Sequence, residues 1–121
     1  MKTLNDSVFG FWKITSIRFL NSDEKWEDET LFGGSTIITK TGNLTTYTKT
    51  SDLSFGYSGT FKVKGDDLLI TPDVCTIPEM EGNITIRTVK SVSEKSLLLG
   101  SIDEATGRTY EFEFELVTRG F

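Results

Sequence analysis

The segment Tyr110-Glu111-Phe112-Glu113-Phe114-Glu115-Leu116 alternates apolar and acidic residues without a break. Successive side chains of an extended chain point to opposite faces, so this run is a strand with one buried face and one wet face. The same period recurs from Ser54 to Lys64. There Phe55, Tyr57, Gly59, Phe61 and Val63 share one face, and Ser54, Ser58, Thr60, Lys62 and Lys64 lie on the other. The rest of the chain reads as short extended runs rich in Thr, Ile, Val, Phe and Tyr, separated by turn residues. Strands are predicted over 10–21, 35–40, 44–50, 54–64, 67–71, 83–90, 96–102 and 107–118. Thr41-Gly42-Asn43 and Gly65-Asp66 supply tight turns. Pro72 is expected to end the fifth strand, because proline cannot donate to a ladder. Helical periodicity is nearly absent. The stretch 23–31 is the one place for a turn or two of helix, with Asp23 as its N-cap.

Eight strands with mostly short connections favour antiparallel neighbours. The predicted fold is therefore all-β: an eight-stranded antiparallel up-and-down barrel, with at most one short helix near 23–31. Closing the sheet removes both exposed edges. The chain has 121 residues, the size of one domain, and no internal linker divides it. A barrel of eight strands has an interior that is either filled by side chains or holds one small ligand.

Composition narrows the chemistry. Histidine is absent and Cys75 is the only cysteine. That excludes His- and Cys-based zinc or haem sites, Ser-His-Asp and Cys-His catalysis, and any intrachain disulfide. No metal, cofactor or catalytic residue is expected. The net charge of −5 disfavours nucleic acid, and no basic patch offsets it. The first ten residues carry no apolar signal-peptide core, and no run approaches a membrane span. A cytoplasmic location is expected, with a homodimer possible.

Gly10-Phe11-Trp12 opens the first strand and Arg119 follows the last. A Gly-x-Trp start with an arginine at the end of the last strand resembles the lipocalin and calycin superfamily. The pieces Gly33-Gly34, Thr41-Gly42-Asn43 and Phe55-Gly56-Tyr57-Ser58-Gly59-Thr60-Phe61 resemble more specifically the bacterial lipocalin-like domains, which are often uncharacterised. The resemblance spans Phe9 to Arg119. It implies that Trp12 plugs one end of the barrel and that Arg119 packs across its ring. A Thr-Asp-Tyr-type motif, a C-terminal helix and a two-helix lid are all missing, so the resemblance speaks to fold more than to ligand.

Candidate ligand-binding residues follow from strand parity. With Trp12 inward, Ile14, Ser16, Arg18 and Leu20 share its face unless a bulge reverses the phase. An inward Arg18 would offer its guanidinium fork to a ligand carboxylate; at the rim it would pair with an acidic residue. Arg87 is a second candidate, with either face of its strand free to be the inner one. Tyr47, Tyr57 and Tyr110 offer hydroxyls, and Phe61 and Phe112 offer apolar wall. Trp26, in the acidic stretch 23–29, is placed either as a lid over the mouth or as surface packing. Glu111, Glu113 and Glu115 read as a solvated exterior rather than an acid–base pair. Cys75 is expected in a loop, without a basic neighbour to activate it.

The expected function is binding of a small apolar or amphipathic molecule inside the barrel. Apolar burial would supply the affinity, and Arg18, Arg87 or a tyrosine the orientation. Two alternatives stand beside it. One is a metal-free, cofactor-free enzyme of isomerase or cyclase type, a chemistry that lipocalin-like barrels host. The other is a structural or interaction domain with a filled barrel.

Overall fold

The structure is a computed structural model and describes residues 8–51, 54–103 and 107–119. The strands are β1 (Gly10–Leu20), β2 (Trp26–Asp28), β3 (Leu31–Ile38), β4 (Asn43–Thr50), β5 (Ser54–Lys64), β6 (Asp67–Cys75), β7 (Thr85–Val92), β8 (Ser96–Asp103) and β9 (Arg108–Thr118). Antiparallel pairing runs from β1 through β3 to β9 in chain order and returns from β9 to β1. Eight long strands thus close into a barrel. The three-residue β2 extends the β3 side of β1, pairing Arg18 with Asp28 and Leu20 with Trp26.

The predicted turns form where expected. Gly42 has a φ of 91° between β3 and β4, and Gly65 a φ of 63° between β5 and β6, conformations that a residue with a Cβ adopts only under strain. Three local readings change. The stretch 23–31 holds no helix. The Asn21 side-chain oxygen accepts from the amides of Asp23 and Lys25, which reverses the chain into β2 instead of starting a helix. β3 begins at Leu31, earlier than predicted. β6 does not stop at Pro72 but continues to Cys75, because Pro72 sits at a bulge opposite Gly59, where a missing N–H costs no regular ladder bond. Cys75 therefore ends a strand, faces inward and is buried.

Inside the barrel the two ends differ. At the end where β1 begins, Val8, Trp12, Ile38, Leu44, Leu97 and Phe114 are each at most 3% exposed. The Trp12 indole N–H donates to the Val8 carbonyl at 2.9 Å. Arg119 lies 5.6 Å from the centre of the Trp12 ring and donates to the carbonyls of Phe9 and Glu94. The plug implied by the family resemblance is thus present, with its polar groups satisfied. Toward the opposite end the inward face changes chemistry. Thr46, Thr48 and Thr50 line β4, Tyr57 lines β5, Arg87 lines β7 and Ser101 lines β8. Phe19, Phe55 and Tyr110 face inward there and remain half-buried. A 3-10 turn, Pro78–Met80, follows β6 at this end, and Ile77 and Met80 beside it pack on the core.

Among the described residues no helix is long and apolar enough to cross a membrane, and no group of three or more Asp, Glu or Cys side chains is arranged to hold a metal ion.

Candidate functional site

The candidate site is the inner wall of the barrel at the end opposite Trp12. Its most ordered feature is a lane of rings on β1 and β9. Phe19 and Tyr110 are paired in register, with ring centres 6.3 Å apart and tilted. Tyr110 and Phe112 follow along β9, stacked at 6.1 Å. A cation stands at each end of the lane. Arg108 at the exposed rim lies 4.3 Å from the Phe19 ring, and Arg87 on β7 lies 4.4 Å from the Phe112 ring. On β5, Phe55 and Tyr57 meet edge to face at 5.4 Å. Lining of this kind gives a ligand broad apolar contact with a few fixed polar groups, the usual make-up of a small-molecule site.

Arg87 owes its position to the alternation of β7. Thr85, Arg87 and Val89 face in, while Ile86 faces out. Its registered partner on β6, Leu68, is fully buried. Arg87 is 8% exposed, and its Nε has no hydrogen-bond partner. Buried donors are nearly always paired, so an orphan on a charged group calls for an explanation.

The expected site residues divide. Tyr57, Arg87, Tyr110 and Phe112 come together on the inner wall. Phe61 faces inward but is half-buried near the β5–β6 turn, packed on the core away from the ring lane. Trp12 faces inward but is fully enclosed in the floor.

Arg18 and Tyr47 do not face the interior. A bulge between Ile14 and Ser16 shifts β1 by one residue, so the inward set runs Trp12, Ile14, then Ile17 and Phe19. Arg18 is left on the outer wall. There its Nε donates to Glu111 Oε1 at 2.7 Å, and its Nη2 donates to the same oxygen. On β4 the threonines take the inner face and Tyr47 the outer. The Tyr47 ring covers its registered partner Gly56, where a Cβ would lie 3.1 Å from ring carbon Cδ1, and its hydroxyl meets Ser54 Oγ at 3.2 Å. A large ring over a strand glycine repairs the packing that the glycine lacks.

The outer wall carries a second polar cluster. Glu111 faces outward yet is only 6% exposed. Lys90 Nζ donates to its other oxygen at 2.7 Å. The Lys90 stem crosses Gly100, where a Cβ would lie 2.8 Å from Cε. Trp26 is no lid over the mouth: its ring lies over this cluster, 5.1 Å from Arg18 and 5.9 Å from Lys90. Burial alone would raise the Glu111 pKa. Hydrogen bonds from Lys90 and Arg18, together with their charges, outweigh burial and hold it below the ordinary carboxylate value. Glu113 and Glu115 are exposed, as expected of an exterior.

Phe55 was expected on the apolar face but not as a site residue, and Phe19, Arg108 and the inward threonines of β4 were not singled out from the sequence. The threonine alternation at 46, 48 and 50 is the one signal there that was available before the fold.

No protein-family model matches the chain, and no curated protein does. Solved structures do. A lipocalin-like protein from Bacteroides uniformis is 19% identical with a TM-score of 0.53, the match covering 89% of this chain and 97% of that one. A de novo designed fluorescence-activating β-barrel is 18% identical with a TM-score of 0.59, covering 96% and 99%. An uncharacterised protein from Bacteroides eggerthii is 16% identical with a TM-score of 0.51, covering 87% and 97%. At these identities the shared property is the path of the backbone, and it extends over nearly the whole of each chain. This chain has the closed eight-stranded barrel fold of the bacterial lipocalin-like proteins.

Proposed function

We propose that this barrel is a binding protein that takes up one small apolar or amphipathic molecule at the end bounded by Phe19, Phe55 and Tyr110. The observation that carries this reading is the contrast along the inner wall. The Trp12 end is packed around a fully enclosed indole with its polar groups satisfied and holds one half-buried inward ring, Phe61, whereas the opposite end gathers Phe19, Phe55 and Tyr110 beside Thr48, Thr50, Tyr57 and Arg87. Half-buried rings on the inner wall leave apolar surface in water that an apolar ligand would cover. The likeness to a lipocalin-like protein and to a designed barrel that activates fluorescence supports the same kind of use.

Titration with Nile red, a neutral dye that brightens in apolar surroundings, tests the proposal. Saturable one-to-one brightening is expected, and it is expected to be lost in Ser101→Trp. That substitution places a large ring on the inward face beside Tyr110, far from the Trp12 floor. No saturable signal, or one unaltered by Ser101→Trp, contradicts the reading.

A further inference from the structure

We infer that the molecule held in the barrel is an amphipathic monoanion, a carboxylate on an apolar body, whose head docks on Arg87. This deepens the binding reading above and rests on it. Arg87 is more than nine-tenths buried and directed into the barrel, and its Nε lacks any acceptor. Its one specific contact is the face of Phe112 at 4.4 Å, which attracts the charge but takes up no N–H in the plane of the guanidinium. Two other arginines of the chain are satisfied: Arg18 by Glu111, Arg119 by the carbonyls of Phe9 and Glu94. Arg87 is therefore a standing cost to the unliganded fold, one that an apolar side chain of similar length would remove.

The surroundings specify the anion. Among the side chains that the structure describes, no Asp or Glu lies beside Arg87 on the inner wall, and Arg108 stands out at the rim, where its registered partner is Asp103. One positive charge below the rim matches one negative charge. A dianion would leave charge uncompensated in a wall of low polarity. The planar guanidinium fork matches the two oxygens of a carboxylate. From Phe112 the ring lane continues through Tyr110 to Phe19. A head fixed at Arg87 thus lays an apolar body along these rings toward the mouth.

The test compares dansylaminoundecanoic acid with its methyl ester, which has the same body without the charge, on the full chain at neutral pH. The acid is expected to bind about 10- to 100-fold more tightly, the range of one charge-assisted bidentate contact. Arg87→Met is expected to reduce the acid to the affinity of the ester, Arg87→Lys to keep part of the preference, and Arg18→Gln to keep all of it. Without ligand, Arg87→Met is expected to melt above the unsubstituted protein. Equal binding of acid and ester overturns the inference and leaves the binding reading intact; binding of neither overturns both. A preference that survives Arg87→Met, or a marked fall in melting temperature in that variant, also overturns it, because Arg87 would then be structural rather than reserved for a ligand.

Discussion

Arg119 and Arg87 each lie against an aromatic ring at opposite ends of one barrel, yet their surroundings differ in one decisive respect. Arg119 covers Trp12 and donates to two backbone carbonyls. Arg87 covers Phe112, and its buried Nε has no acceptor. The first arrangement completes a floor. The second leaves bonding capacity unused, in the part of the wall where rings are half-buried and hydroxyls face inward. On the proposed reading, the satisfied cation at Trp12 is packing and the unsatisfied one at Phe112 is where a ligand docks.

Four substitutions would break or sharpen this contrast. Trp12→Ala empties the most enclosed large side chain of the chain, and a loss of about 3–5 kcal/mol in urea unfolding is expected. A loss under about 1 kcal/mol would mean that the floor is not the centre of packing. Glu111→Gln on the outer wall is expected to cost about 1–2 kcal/mol at neutral pH, held down because Arg18 and Lys90 are both well exposed.

The pH dependence of that loss has a definite sign. The folded-state pKa of Glu111 lies below its ordinary value. Its ionised form therefore contributes stability that is fully present above the unfolded pKa of about 4.3, and that disappears as pH falls through the folded value. The gap between the two proteins is expected to be widest near neutrality, to shrink as pH falls below the unfolded pKa of about 4.3, and to vanish below the lower folded value. A gap that is constant with pH would show that the ion cluster is not its source.

Arg87→Met is expected to move stability the other way, by about +1 kcal/mol in the absence of ligand. Arg18→Gln should cost least, under about 1 kcal/mol, and leave Nile red binding unchanged. An effect of Arg18→Gln on binding would return that arginine to the ligand site.

The barrel was legible because its signal is local and repeated. The alternation in 54–64 and 110–116, the glycine turns at 42 and 65, and the Gly-x-Trp with its distant arginine each point to the same closed sheet. Individual inward residues were less legible, because one inserted residue changes the face of everything after it. The bulge after Ile14 moved Arg18 outside and Phe19 inside. Its trace in the sequence is the jump from Trp12 and Ile14 to Ile17 and Phe19, which breaks the period of two. Tyr47 was misplaced for another reason. Propensity favours a tyrosine in the core over a threonine, but the core of β4 is lined by Thr46, Thr48 and Thr50, and the tyrosine is needed outside over Gly56. Arg87 was open to either face by period alone, and only the pairing with Leu68 sets it inward.

The two tryptophans and Arg87 together provide the most direct measurement. Trp12 reports on the floor, Trp26 on the outer wall, and the Arg87 Nε–H on the inner wall near the mouth. In a nitrogen–proton correlation spectrum recorded during titration with dansylaminoundecanoic acid, the Arg87 Nε–H signal is expected to shift strongly and saturably. The amides of Phe19, Tyr110 and Phe112 should move with it, while both indole signals stay in place. Shifts confined to the Trp26 indole and the exterior of β1 and β9, with the Arg87 signal unmoved, would contradict an interior site.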